Sequence, residues 1–161
     1  MINIKNHKKT AEEMAWSGVW EIDIKNNGSI NKEVVKNRIM NAALEEIVKS
    51  LTGATPNVEI KYLAVGTGTT AITDNDIALA TEIFRTPDTA LSANATGQVT
   101  SQFAVLKTEA VATIEEIGIF GGTSATLTAN IGILISRILW HHVKTSSEEI
   151  SFRRIDTVTR G

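Results

Sequence analysis

Leu63-Ala-Val-Gly-Thr-Gly-Thr-Thr70 is the stretch on which the reading of this chain turns. Taken alone, Gly66-Thr-Gly68 after an apolar run resembles the start of a phosphate-cradling loop, which would make the protein a nucleotide-binding enzyme. The residues that follow do not complete a P-loop, and they meet the dinucleotide fingerprint only in its looser form, with Ala71 in place of the third glycine. A P-loop needs a lysine and then Ser or Thr after its last glycine, because the ammonium balances phosphate charge. Here Thr69, Thr70 and Ala71 follow instead. A dinucleotide fingerprint needs a helix opening at its glycines, and the polar turn Thr73-Asp-Asn-Asp76 interrupts one. No strand–helix–strand alternation surrounds the segment. It reads as the end of a buried strand, Val58 to Val65, in a β-rich packing domain that needs no cofactor.

Upstream, the pattern is that of a hairpin and then a helix. Trp20, Ile22 and Ile24 alternate with Glu21, Asp23 and Lys25, as in a half-buried strand. Asn27-Gly28 follows, the pair favoured where both central residues of a tight hairpin need positive φ. A second strand runs through Ile30 toward Val35. From Lys36 to Leu51 the apolar residues recur at helical steps. Met40, Leu44, Ile47 and Leu51 form the stripe, Ile39, Ala43 and Val48 widen it, and Glu45, Glu46 and Lys49 face water. The stripe is assigned to the core. Gly53 suits the left-handed stop and Pro56 prevents a restart. Residues 1–16 are expected to form an arm or short helix, with Thr10 and Glu13 at capping-box spacing.

Downstream, Ile77 to Ala80 suggests a helical turn, and Thr86 to Gly97, rich in Thr, Ser, Ala and Asn, a long surface loop. Strands follow. Val99, Ser101, Phe103 and Val105 share one face. Thr113 to Phe120 ends at Gly121-Gly122, Ile131 to Trp140 is apolar on both faces as in a central strand, and Glu149 to Val158 closes the chain. Short strands between turn signals predict a β-dominated α+β fold. Its form is an antiparallel β-sandwich, jelly-roll-like, with one main helix at about 36–51 after an N-terminal hairpin, in a single domain over residues 17–161.

The composition narrows the function. The chain has 161 residues, no cysteine and a formal net charge of −2. Thiol catalysis and thiolate metal sites are excluded, and no bulk basic field exists to hold nucleic acid. The most apolar run is too short to span a bilayer and contains Arg137, so no membrane partner is expected. Met1 to Thr10 lacks the apolar core of a secretory signal, which places the protein's origin in a cytoplasm.

No reactive constellation is expected either. His141 and His142 are adjacent on a strand and point to opposite faces, so they do not readily share a metal, and His7 lies far away in sequence. Glu148 and Glu149 are the carboxylates such a site would recruit. The acid pairs Glu12-Glu13, Glu45-Glu46, Glu115-Glu116 and Glu148-Glu149 read as solvated faces rather than general acid–base dyads. No Gly-x-Ser-x-Gly elbow is present. The expectation is no catalytic, cofactor-binding or metal residue and no enzyme activity. Trp16, Trp20 and Trp140, with Arg137, Arg153 and Arg154, are instead the candidates for an interface with other protein chains, where Trp and Arg are enriched.

Several phrases together carry a family resemblance. They are Asn37-Arg-Ile-Met-Asn-Ala-Ala-Leu44, Leu63-Ala-Val-Gly-Thr-Gly-Thr-Thr70, Glu82-Ile-Phe-Arg85, Ile114-Glu-Glu-Ile-Gly-Ile-Phe-Gly-Gly122 and Gly132-Ile-Leu-Ile-Ser-Arg137. In this order they resemble small virion proteins of tailed bacteriophages and prophages, of the tail-fibre or tail-collar-like kind, across most of residues 19–155. The resemblance implies a non-enzymatic structural protein of the virion, assembled in the bacterial host cytoplasm. It would contact copies of itself and other virion proteins as a tail, baseplate or fibre adaptor or as capsid decoration. Compared with long fibre proteins no shaft is expected here, which favours an adaptor or a surface-decorating subunit. The alternative is a carbohydrate- or receptor-binding β-sandwich module, in which an exposed tryptophan stacks on a host-surface glycan.

Overall fold

The computed structural model describes residues 14–95 and 97–160. The elements run β1 (Met14–Asn26), β2 (Ser29–Lys36), α1 (Asn41–Ser50), β3 (Ile60–Gly66), β4 (Glu82–Pro87), β5 (Ala90–Ala95), β6 (Gln98–Val105), β7 (Thr113–Gly121), β8 (Ile133–Val143) and β9 (Glu148–Arg160). They form two antiparallel sheets, ordered β2-β1-β9-β6-β5 and β4-β3-β7-β8. The expected β-sandwich with one helix is what the chain forms.

The hairpin turns as its residues require, with φ of 46° at Asn27 and 85° at Gly28. The inward residues of the five-stranded sheet, among them Trp20, Ile22, Ile24, Phe103, Ile150 and Phe152, meet Leu63, Ile117, Ile119 and Ile135 of the other sheet in the main core. Phe152 lies edge-on to both Trp20 and Trp140, with ring centroids 6.1 and 5.9 Å away.

A second, smaller core lies on the outer face of the four-stranded sheet. There Met40, Ala64, Leu79, Phe120 and Leu134 are covered by the connection between β3 and β4. This accounts for the two-sided apolar character of β8. It is an edge strand rather than the expected central one, and it is buried on its outer face by a loop. The edge is blunted by Ile39, bridged to Ser136, and by the Arg137 amide, which donates to the Arg38 carbonyl. Glu116 faces this outer layer because the β7–β8 register shifts between Ile114 and Glu116, which lets both Ile114 and Ile117 enter the main core.

Four expectations are corrected. Strand β1 begins at Met14, so Met14 to Trp16 belong to the sheet. The Thr10/Glu13 capping box and His7 lie outside the described residues. Helix α1 starts at Asn41 rather than near Lys36, because residues 37–40 cross extended from one sheet to the edge of the other. The expected loop at residues 86–97 contains edge strand β5, paired with β6. An edge strand exposed on one side needs no alternating apolar pattern. Ile77 to Ala80 form no helical turn. The amides of Leu79, Ala80 and Thr81 instead donate outward to Asn130 and Glu116.

Candidate functional site: two buried clamps and an apolar groove

The Gly66-Thr-Gly68 segment closes around a carboxylate of its own chain. Glu116 is wholly buried, and its Oε1 accepts from the backbone N–H of Gly68 at 3.1 Å and of Thr81 at 2.8 Å. Its Oε2 accepts from the N–H of Ala80 at 3.0 Å and from Nε of Arg137 at 2.9 Å. Arg137 continues to the Asp76 carboxylate at 2.6 Å and the Thr70 carbonyl at 3.0 Å. A Cβ on Gly66 would lie 2.6 Å from Glu116 Oε1, and one on Gly68 would overlap the same oxygen. The glycines are therefore needed for close approach of backbone to carboxylate, the role a phosphate would otherwise play. At Asp76, burial pushes the carboxyl pKa up, but hydrogen bonds from Thr73 and Arg137 outweigh it and hold the group below its ordinary value.

A second clamp lies beside the first. The guanidinium of Arg85 pairs with both oxygens of Glu82, at 2.8 and 2.9 Å, and donates to the carbonyls of Thr126 and Ile131. It lies 4.0 Å from the Phe120 ring centroid. Glu82 also accepts from the Asn130 amide, and Asn130 Oδ1 accepts from the Leu79 amide, at 2.8 and 2.9 Å. The loops 67–81 and 122–132 are thus tied to the sheet and to each other. Two buried arginine–carboxylate pairs fix backbone that would otherwise carry unpaired polar groups.

A different surface is left open. Between α1 and the inner face of the five-stranded sheet, past the overlap of the two sheets, lies a groove of about 440 Å³. Trp16, Leu44, Ile47, Val48, Leu91 and Val99 are among its lining residues, and its ionisable lining residues, Glu59 and Asp156, are both acidic. Helix α1 is rotated from its expected setting. Leu44, Val48 and Leu51 are 39%, 59% and 86% exposed, whereas Glu46 is buried, ion-paired with Lys49 and accepting from the Asn57 amide at 3.1 Å. That amide draws in a residue which periodicity assigns to water, and the apolar stripe turns outward.

Comparison with protein-family models, with curated proteins and with solved structures finds no match for this chain.

The six residues expected at an interface divide. Trp20 and Arg154 are completely buried, and Arg137 and Trp140 nearly so. These four belong to the chain's own interior and present no surface to a neighbour. Trp140 donates from Nε1 to Glu33 at 2.7 Å and stacks on His142. Arg154 donates to Ser136 and Asp156, at 2.9 and 2.6 Å, and burial lowers its pKa against the opposing pull of Asp156. Trp16, half-buried, donates to Asp156 Oδ1 at 2.9 Å and lines the groove. Arg153 is exposed on the opposite face, paired with Glu21. The acid pairs also divide, since Glu46 and Glu116 are buried rather than solvated. His141 meets Glu115, and His142 Nε2 lies 3.4 Å from Glu148 Oε2. No group of three or more metal-ligating side chains occurs among the described residues.

Proposed function

We propose that this protein is a structural subunit of a tailed-bacteriophage particle and acts by repeated protein–protein contact. The observation that carries the reading is the meeting of the resemblance phrases in one layer. Gly66 and Gly68, Glu82 and Arg85, Glu116, and Arg137 come from four separate segments, and all converge on the outer face of the four-stranded sheet. The ordered phrases are therefore one structural unit. Their charged groups are engaged with each other and with loop backbone, an arrangement suited to rigidity. Tail, baseplate, fibre adaptor and capsid decoration are all compatible with such a subunit.

A glycan-binding role is less well supported. Sugar stacking needs an exposed aromatic platform, whereas Trp20 and Trp140 are buried and Trp16 is half-buried, with its indole N–H committed to Asp156. Antibody labelling of purified particles tests the proposal. Labelling at regular, repeated positions is the expected result. Particles that carry none of the chain, from cells that make it, would exclude the role.

A further inference from the structure

We infer that β5 is the edge through which two copies of this chain pair, strand to antiparallel strand, about a two-fold axis at Ser92. This rests on the assembly role proposed above and assigns it a surface and a partner. Among the described residues the two sheets end in four edge strands, β2 and β5 of one and β4 and β8 of the other. An edge presents a row of unpaired N–H and C=O groups that another strand can satisfy. Proteins guard such edges with charge, with Pro or with a covering segment.

Three of the four edges are guarded. Strand β2 carries Lys32, Glu33 and Lys36, and Lys32 is ion-paired with Asp23. Strand β4 ends at Pro87, and its Arg85 holds the carbonyls of Thr126 and Ile131. Strand β8 is covered by Arg38 and Ile39, through the Ser136 bridge and the Arg137 amide. Strand β5 differs. Ala90-Leu-Ser-Ala-Asn-Ala95 has no charge and no Pro, and Thr89 to Asn94 are all exposed. Its register with β6 is regular from Ala90 to Ala93 and shifts only beyond.

The partner follows from the composition of the strand. A two-fold contact sets a segment against itself, so the segment must be self-complementary. Any charge at the axis would meet its own copy. Strand β5 has none, and its small side chains leave the backbone accessible. Centred on Ser92, antiparallel pairing sets Leu91 opposite the partner's Ala93. Leu91 lines the groove beside α1, so alternation puts both residues on the inner face and Ser92 on the outer one. Asp88, the charge nearest β5 in sequence, then falls opposite the uncharged run 96–98 of the other copy. The two five-stranded sheets become one continuous sheet.

The experiment uses the full natural chain and two variants at an exposed position, Ser92→Lys and Ser92→Glu. Natural hydrogen-exchange rates in β1 and β9 verify that both variants fold. Dimer dissociation constants are measured by light scattering over a dilution series. The expected result is a dimer of the natural chain and, in each variant alone, a dissociation constant raised about fivefold or more by like charges across the axis. An equimolar mixture of the two variants should regain the natural affinity, because unlike charges then face each other. Unchanged affinity in both variants, or a mixture no tighter than either alone, overturns the β5 pairing and leaves the assembly role standing. A natural chain that stays monomeric at every concentration also overturns the pairing, and labelling of particles then decides the assembly role.

Discussion

The backbone N–H of Gly68 donates to Oε1 of Glu116, across 48 positions of sequence, and the pair leaves no room for a Cβ at residue 68. A methyl group there must push the carboxylate away from the amides of Gly68 and Thr81, and through it disturb Arg137. Gly68→Ala is expected to lower stability by roughly 1–3 kcal/mol, the usual cost of overpacking. Gly66→Ala should act in the same direction. Urea unfolding monitored by tryptophan fluorescence measures this, and unchanged midpoints for both variants would remove the close-approach account of the glycine motif.

Glu116 and Arg137 should show strong energetic coupling. Removing one member of a buried pair leaves the other charge uncompensated, at a cost of about 3–5 kcal/mol. Arg137→Met is expected to destabilise on that scale, Glu116→Gln by less because Arg137 keeps Asp76 as a partner, and the double variant to cost less than their sum. A double-mutant cycle reads the coupling directly. Additive effects would mean that the pair acts as two independent groups.

Asp76 ties this clamp to acid stability. Its folded pKa lies below the ordinary aspartate value of about 3.9. A group lowered on folding contributes stability that is fully present above its unfolded pKa. That contribution is lost as pH falls through the folded pKa. The stability advantage of the natural chain over Asp76→Asn should be complete near neutral pH and shrink below about pH 4. A constant difference from neutral pH into that range would contradict the assignment.

Glu82 should control the loop at 122–132. Its carboxylate accepts from the Asn130 amide and holds Arg85, which in turn binds the carbonyls of Thr126 and Ile131. In Glu82→Gln, amide exchange across residues 126–131 is expected to accelerate at least tenfold while β1 and β9 exchange at their original rates. Hydrogen exchange by mass spectrometry checks it. Equal acceleration everywhere would point to global destabilisation rather than a local clamp.

The sandwich was legible in the sequence where one face of a strand is wet, because alternation marks it, as at Trp20, Ile22 and Ile24. Asn27-Gly28 and Gly53 were legible because positive φ restricts residue choice. The clamps were hidden for a different reason. Glu116 has the composition of a solvated pair with Glu115, and only the register shift after Ile114 turns it toward the loop. Its partners Gly68, Ala80, Thr81 and Arg137 lie in three distant segments, so no local pattern joins them. Helix α1 misled because a 3.6-residue stripe gives an apolar direction without saying what it faces. Here one buried carboxylate, Glu46, shifts the helix so that Val48 and Leu51 remain in solvent. In the assembly proposed above, this exposed apolar surface would be available to a neighbouring chain.

The mass of the purified full chain in solution, by size-exclusion chromatography with light scattering, tests the central claim most directly. A chain that works by contact with its own copies should form a stable species at an integer multiple of its 17.4 kDa mass. A single species that stays at 17.4 kDa over a wide concentration range would contradict it.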